Sequence, residues 1–379
     1  MKLLDGIWAA LRDRRPSADV LFILATFLAS RVILVGVALL SRAILAPGPL
    51  WQRGELVGAL TSGDAQLHIA AARSGDWFGS SGAAAELGFF PLFPILLRAA
   101  SLPFGHPELA GIVIANLSLL IATFWLYRLV QMESGESKIA QLAITFLLFG
   151  PASFFFSCAL PESLALMLAI GSLLAARRGA WGWAAVASLC LAATVSLGAW
   201  IVVPLALEYF SQSRQSGASE KTSRSAAPLA LVAVPLYLLV LALTGYAKHQ
   251  EAFGLLPLAR DSERTFNSLL GLSVTFESYR PVFEWLFLAV VITAATVWAI
   301  GFRLKLRWSY LAFAGLLLAA CIWSHDLEAA RTLGLAFPLT IALALAVHRW
   351  DWSFEVALTS ATMLFVLCTM AAANGFWLT

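Results

Sequence analysis

Two acidic residues combine a reactive side chain with a position between apolar runs. Asp64 lies in the polar segment Ser62–His68, just ahead of an apolar helical stretch. A carboxylate there could act as a general base that takes a proton from a hydroxyl group. The alternative is structural, because Asp before Ala-Gln-Leu is a good helix N-cap, and the local pattern alone favours the cap. His68 could pair with Asp64 and contact a substrate, although a single histidine in a loop more often belongs to the polar surface.

The second acid is Glu162, which follows Pro161 between two apolar runs. Pro-Glu is typical of the first turn of a helix, where a carboxylate meets the positive end of the helix dipole. A carboxylate at membrane depth is costly, however, and is a functional hypothesis by default. Glu162 could orient an acceptor or hold a divalent cation such as Mg²⁺ or Mn²⁺ together with Asp64. The residue pattern leaves the structural and functional interpretations open.

Three basic residues are candidates for contact with a substrate. Arg31 lies in the middle of the first apolar run, where it must face protein or water. We favour a structural partner over a reacting group for it. Arg331 and His325 share a polar segment near the C-terminus. Arginine suits a bidentate grip on a phosphate, and the alternative for Arg331 is a snorkelling residue at the membrane interface.

These residues are set in a very apolar chain. It has 379 residues, of which 60% are hydrophobic and 12% charged, whereas soluble chains are about half apolar and about a quarter charged. The composition therefore predicts an integral membrane protein. The net charge of +3 gives no reason to expect nucleic acid as a partner. None of the four cysteines forms a CxxC pair, and no Walker, HExxH or GxSxG motif is present.

The hydropathy pattern predicts an all-α, polytopic membrane protein of about 10–12 spans. The segment 89–102 is too short to cross and is expected to be an interfacial or re-entrant helix. The stretch 181–210 is expected to be two short helices that meet at 194–196. The remaining predicted spans are 19–45, 109–130, 139–158, 161–176, 228–246, 282–301, 308–323, 332–348 and 353–375.

Charge counting predicts the orientation of these spans. With a cytoplasmic N-terminus, about 15 of the 25 Lys and Arg residues lie on the cytoplasmic side. Several charged residues from separate loops then reach the extracytoplasmic face, where they could line one cavity: Asp64, Glu86, Glu162, Asp326, Glu328 and Arg331. The Ala/Leu-rich composition suggests a bacterial inner membrane.

We expect one integral membrane domain over 1–379. Its parts are a core over 19–210 that includes the first outer loop 46–107, a cytoplasmic loop 211–226, and C-terminal helices over 227–379 with an outer loop 247–280.

Several short blocks resemble the GT-C fold glycosyltransferases, and most closely the bacterial relatives of the GPI mannosyltransferase II (PIG-V type) family. The resemblance covers about residues 25–210. The blocks are Ser30-Arg31, Asp64 with Gly75 eleven residues later, the Phe-Phe-Pro-Leu-Phe-Pro run from Phe89, the segment Asn116–Leu129, the Pro-Ala-Ser-Phe-Phe-Phe-Ser run from Pro151, Glu162-Ser163, and Glu208.

The resemblance implies a particular chemistry. Enzymes of this fold take a sugar from a polyprenyl phosphate outside the cytoplasm, an acid in the first outer loop is the base, and the anomeric configuration inverts. Asp64 would be that base, Glu162 an assisting or metal-binding acid, and Arg331 the grip on the donor phosphate. Leu67-His68 replaces the family's Trp-Tyr, and Thr194-Val195 its Thr-Arg, which implies a different donor or a divergent relative.

Three functions are therefore compared. The first is a membrane glycosyltransferase that moves a hexose such as mannose from a lipid-linked donor to a lipid or glycan acceptor. The second is a transporter or flippase for a lipid-linked intermediate, although no internal repeat is visible. The third is a non-catalytic GT-C-like subunit of a glycan assembly complex. Membrane lipids surround the protein in each case.

Overall fold

The computed structural model describes residues 18–44, 56–75, 90–103, 105–215, 227–243, 280–324, 331, 333–350 and 353–374. These residues form helices and turns, with no strand among them. The helices are α1 (Ala18–Ile44), α2 (Leu56–Leu60), α3 (Asp64–Ser74), α4 (Leu92–Ser101), α5 (Pro107–Ser134), α6 (Ser137–Leu148), α7 (Glu162–Arg177), α8 (Trp181–Ala192), α9 (Val202–Gln215), α10 (Ala227–Leu243), α11 (Arg280–Arg303), α12 (Trp308–Ser324), α13 (Pro338–Arg349) and α14 (Ser353–Ala373).

Three of these helices are long and apolar enough to cross a membrane: α1, α5 and the stretch Phe354–Ala373 of α14. A fourth crossing would result if α6 and the turns that follow it form one bent span. Shorter apolar helical stretches of 10–17 residues occur elsewhere in the described part, and they include Leu288–Arg303 of α11. An all-helical membrane protein is thus what the structure supports, and the number of spans stays a prediction.

Two sequence expectations about broken segments are confirmed. The segment predicted to be too short to cross forms α4, which has only 10 residues. The stretch 181–210 is interrupted where expected: α8 ends at Ala192, Val195 is extended, and a 3₁₀ helix over Ser196–Ile201 leads into α9. The placement of α4 at a membrane interface stays a prediction.

The predicted continuous span 139–158 is wrong. Helix α6 ends at Leu148, and two 3₁₀ turns, Pro151–Ser153 and Phe155–Ser157, continue at an angle of 62°. Proline disfavours a helical conformation in the residue before it and lacks the N–H that a helix needs. At Gly150 a β-carbon would lie 2.6 Å from the carbonyl oxygen of Phe146, so this turn also requires glycine.

Proline also shifts the start of the predicted span 332–348. A 3₁₀ turn over Leu333–Leu335 comes first, and α13 begins only at Pro338. Pro338 occupies the first helical position, where its missing N–H costs nothing.

The core lies where α5, α6, α7, α12 and α13 meet. Its buried side chains include Leu126, Ile144, Ile170, Phe313 and Phe337. Helix α8 packs on α7 and α10, whereas α1 packs on α14. A smaller cluster, which includes Ile69, Leu97 and Ala110, joins α3 and α4 to the beginning of α5.

Backbone hydrogen bonds tie together the segments that precede α3, α4 and α7. The N–H of Ala159 donates to the carbonyl of Leu60 at 2.8 Å. The N–H of Leu92 donates to the carbonyl of Ala193 at 3.1 Å. The starts of α3, α4 and α7 therefore lie at the same end of the helix bundle.

Candidate active site

Asp64, Glu162 and Arg331 meet at this end of the bundle. Nη1 of Arg331 lies 3.0 Å from Oδ2 of Asp64, and its Nε lies 2.8 Å from Oε1 of Glu162. One guanidinium thus bridges two carboxylates that come from separate helices. The side chain of Asp64 is 34% exposed, that of Arg331 16% and that of Glu162 6%. The site, defined by these three residues, is open to solvent on the Asp64 side.

The cap interpretation of Asp64 is wrong. Helix α3 begins at Asp64 itself, and Gly63 occupies the capping position with φ of 60° and no side-chain hydrogen bond. A positive φ favours glycine over any residue with a β-carbon. Asp64 is therefore placed in the first turn, and its carboxylate turns to Arg331.

The structure confirms the first-turn position of Glu162, and its functional role stays a prediction. Glu162 is the first residue of α7, directly after Pro161, as the first-turn pattern predicted. It also belongs to the charged cluster, through Arg331. Its Oε2 is buried and has no hydrogen-bond partner in the part of the chain that the structure describes. An oxygen of this kind is suited to accept a hydrogen bond from a bound hydroxyl.

Arg331 is not an interfacial snorkelling residue. Its side chain is mostly buried and forms ion pairs with both acids. It reaches Asp64 across 267 residues of chain, so the contact depends on tertiary structure alone. His325 lies outside the described residues, as do Glu86, Asp326 and Glu328.

His68 is buried, which contradicts the expectation of polar surface. Its ring meets Phe93 edge-on, with 5.2 Å between the ring centroids. Burial lowers the pKa of His68 to about 4, to which the charge of Arg331 adds, while Asp64 acts in the opposite direction. The ring is neutral at pH 7, and its Nδ1 has no partner among the described residues. His68 supports the helix that carries Asp64 rather than pairing with Asp64 by a hydrogen bond.

Arg31 is engaged by protein groups, as the structural interpretation expected. Its Nη1 donates to Oγ of Ser157 at 2.7 Å and to the carbonyl of Ser153 at 3.1 Å. Its Nη2 donates to the carbonyl of Leu148 and to Oγ of Ser153, and its Nε to Oγ of Ser30. These bonds hold the bend after α6, and all of them go to the protein.

Arg331 is one of the residues that line an apolar cavity of about 280 Å³. Its walls come from α6, the two turns after α6, α11, α13 and α14. Most lining side chains are aliphatic or aromatic, and they include Phe146, Phe155, Val290 and Leu364. Sequence reasoning missed this cavity, because the long apolar runs give no sign of which faces stay unpacked.

The divalent cation at Asp64 and Glu162 stays a prediction. Mg²⁺ binds oxygen ligands in near-octahedral geometry, but the guanidinium of Arg331 stands between Asp64 and Glu162. Within the described ranges, no group of three or more His, Cys, Asp or Glu side chains could hold a metal ion. A metal at these carboxylates would first have to displace Arg331.

Sequence reasoning also missed a second charged cluster, at the opposite end of α7. Arg177 and Arg307 both contact Glu208, each at 3.1 Å, and Arg177 also pairs with Glu133. The hydroxyl of Tyr310 donates to Glu133 at 2.9 Å. We call these residues the distal clasp. The available signal was that each charge lies near the end of an apolar helix.

Comparison with known proteins assigns no function to this site. A scan against models of protein families finds no match, and no curated protein matches the chain either. The likeness to GT-C enzymes therefore depends on the sequence blocks, and function has to be argued from the site.

Proposed function

We propose that this chain is an inverting GT-C-type glycosyltransferase of the bacterial inner membrane. It would transfer a hexose such as mannose from a polyprenyl-phosphate donor to a lipid or glycan acceptor on the extracytoplasmic side. One observation carries the proposal: Arg331 lies both between two carboxylates and in the wall of an apolar cavity. Apolar walls that include a cationic side chain suit a ligand that has a lipid chain and an anionic head.

The cavity binds the lipid chain of the donor, and Arg331 binds its phosphate. Part of the isoprenoid chain lies against the apolar side chains, where burial of its surface contributes about 25 cal/mol per Å². The phosphate meets the guanidinium, whose planar donors match phosphate oxygens. This places the sugar carbon next to Asp64, the more exposed of the two acids.

Asp64 is the base of the proposed reaction. It takes the proton of an acceptor hydroxyl as that oxygen attacks the anomeric carbon from the face opposite the phosphate. The new carbon–oxygen bond forms while the bond from the anomeric carbon to the phosphate oxygen breaks. The lipid phosphate leaves with the electron pair, and Arg331 stabilises its charge. Attack from the opposite face inverts the configuration.

Glu162 and His68 act as positioning residues in this scheme. The free Oε2 of Glu162 accepts a hydrogen bond from the acceptor and so orients the attacking hydroxyl. His68 is neutral and packs against Phe93, which holds α3 and therefore Asp64 in place. Positioning of this kind contributes to rate because the reacting atoms start in the required geometry.

The test is a transfer assay in proteoliposomes. Purified protein receives labelled polyprenyl-phosphate mannose, then the glucose and galactose analogues, with membrane lipids and glycans as acceptors. Label that moves to an acceptor with inverted configuration supports the proposal. Donor that crosses the bilayer without transfer would favour the flippase. Activity that requires a co-purifying protein and persists in the Asp64→Asn variant would favour the non-catalytic subunit.

A further inference from the structure

We infer that the Asp64–Arg331 ion pair is an autoinhibitory contact, which an anionic lipid head must displace from Arg331 before Asp64 is free to act as a base. The inference concerns regulation of the proposed active site, and it rests on the proposed function for the identity of the lipid. The competition between Asp64 and the anion for one guanidinium is a separate claim that binding alone can test.

The geometry of the guanidinium sets up this competition. An arginine offers two edges for bidentate binding, Nε with Nη2 and Nη1 with Nη2. In this site Nε is engaged by Glu162 and Nη1 by Asp64. Each edge therefore has at least one nitrogen that already donates to a carboxylate. A phosphate that binds either edge in bidentate fashion shares a nitrogen with one of the two acids and therefore competes with that acid.

Exposure decides which acid is replaced. The side chain of Asp64 is 34% exposed, so water can solvate its carboxylate once the pair is broken. Glu162 is 6% exposed, and among the described residues one of its oxygens has no hydrogen-bond partner. Separating a buried carboxylate from its cation is far more costly than separating an exposed pair. The anion is therefore expected to displace Asp64 and to leave Glu162 in place.

The consequence is an order of events. Without a lipid head at Arg331, the carboxylate of Asp64 is engaged and the acceptor hydroxyl has no free base. Occupation of Arg331 by the phosphate releases Asp64 next to the bound sugar. The base becomes available only when the anionic ligand is present.

A double-mutant cycle of binding tests the inference. Protein in phosphatidylcholine nanodiscs is titrated with farnesyl phosphate, with farnesol as the uncharged control and with inorganic phosphate as the soluble anion. The variants are Asp64→Asn, Arg331→Gln and the double variant. We expect Asp64→Asn to tighten farnesyl phosphate binding on the order of tenfold in the presence of Arg331. We expect that gain to disappear in the Arg331→Gln background, and farnesol binding to stay unchanged.

Three outcomes would overturn the inference. If Asp64→Asn leaves the affinity for farnesyl phosphate within about twofold, Asp64 does not compete for Arg331. If the same tightening occurs without Arg331, the effect is general charge repulsion. If inorganic phosphate binds as tightly as farnesyl phosphate, the lipid chain contributes nothing to binding and the ligand is not a lipid head. Asp64→Ser serves as a second variant if Asp64→Asn fails to fold.

The control is Glu108→Gln. Glu108 pairs with Arg73 of the same helix α3, outside the site. Its removal takes away one nearby negative charge without changing the contacts of Arg331. Affinity for farnesyl phosphate should therefore stay within about twofold. Because the cycle measures binding, a protein that binds as expected but transfers no sugar would refute the transferase and leave this inference intact.

Discussion

At the scale of single residues, solvent exposure distinguishes the proposed roles of Asp64 and Glu162. Asp64 and Glu162 both begin a helix and both contact Arg331. Only Asp64 has substantial exposure, which gives an acceptor hydroxyl a route to it. Glu162 is enclosed and can act only on a group that enters the site. The residue type alone does not distinguish a base from a positioning residue, but burial does.

His68 makes the protein sensitive to acid. Its pKa of about 4 lies below the ordinary value of 6.5, so the folded state favours the neutral ring. As the pH falls below 6.5, His68 becomes protonated in the unfolded chain but stays neutral in the folded chain. The free energy of unfolding therefore decreases until the pH reaches about 4. We expect the thermal midpoint in detergent to fall between pH 7.5 and pH 5, and to fall less in His68→Gln.

The comparison between wild type and His68→Gln isolates the histidine, because other groups titrate equally in both proteins. Identical pH dependence of the two thermal midpoints would show that His68 is not buried in its neutral form. The same result would weaken its proposed role in holding α3.

At the scale of elements, the bend after α6 depends on one side chain from α1. Arg31 donates to the carbonyls of Leu148 and Ser153 and to the hydroxyl of Ser157. These acceptors lie at a break in the helix, where no intrahelical N–H is available to them. The bend forms a wall of the cavity, so α1 contributes to the site without contacting it.

Arg31→Met should destabilise the protein. A buried acceptor left without a donor costs about 1–3 kcal/mol, and the carbonyl of Ser153 loses the donor that Arg31 supplies, whereas the carbonyl of Leu148 keeps the hydroxyl of Ser153. We expect a clear drop in the thermal midpoint in detergent, whereas Arg128→Met, at an exposed position of α5, should change it little. An unchanged midpoint for Arg31→Met, together with loss of donor binding, would instead make Arg31 a substrate ligand.

Glu208 is the centre of the distal clasp. It is 1% exposed and accepts from Arg177, Arg307 and Gln212. Glu208→Gln removes one of the two carboxylates that Arg177 and Arg307 share and leaves them Glu133, so we expect the free energy of unfolding to fall by about 2 kcal/mol. Thermal unfolding in detergent measures this, with Glu355→Gln at an exposed position of α14 as the control.

The same variant separates stability from catalysis. The clasp and the site lie at opposite ends of α7, which has 16 residues and is about 22 Å long at 1.5 Å per residue. Transfer per folded molecule should therefore stay within about twofold of wild type. Loss of transfer at unchanged stability would mean that the distal clasp takes part in the reaction.

At the scale of the whole molecule, two charged clusters lie at opposite ends of α7. The site occupies the end at which α3 and α7 begin, and the distal clasp occupies the other. In each cluster arginine is matched by carboxylates from different helices. The separation is of the order of a membrane's apolar thickness, so in the predicted topology the site lies outside the cytoplasm and Arg177 inside.

The local sequence predicted those features of the fold that depend on neighbouring residues alone. The short helix α4, the break at 194–196 and the first-turn position of Glu162 followed from length, polarity and proline. The bend at Gly150-Pro151 had a visible signal, but the surrounding apolar run dominated the prediction. The prediction that Asp64 is a helix cap was wrong because Gly63, with its positive φ, occupies the capping position.

Contacts between distant segments could not be predicted in the same way. Nothing near Asp64 in the sequence indicates that Arg331 lies 3.0 Å away. Hydropathy indicates which segments cross the membrane, but it does not indicate which helices pack against each other. The distal clasp escaped prediction for the same reason. Orientation reasoning could only place the residues at one face, and packing brought them into contact.

The most direct test of the account is the rate of sugar transfer by Asp64→Asn compared with Glu108→Gln. Both variants remove one ion-paired carboxylate at the start of a helix, and both affect α3. The account predicts that Asp64→Asn lowers the rate about 10²-fold or more, as expected for loss of a general base, whereas Glu108→Gln keeps it within about twofold. Equal rates for the two variants would contradict the assignment of Asp64 as the base and of this cluster as the active site.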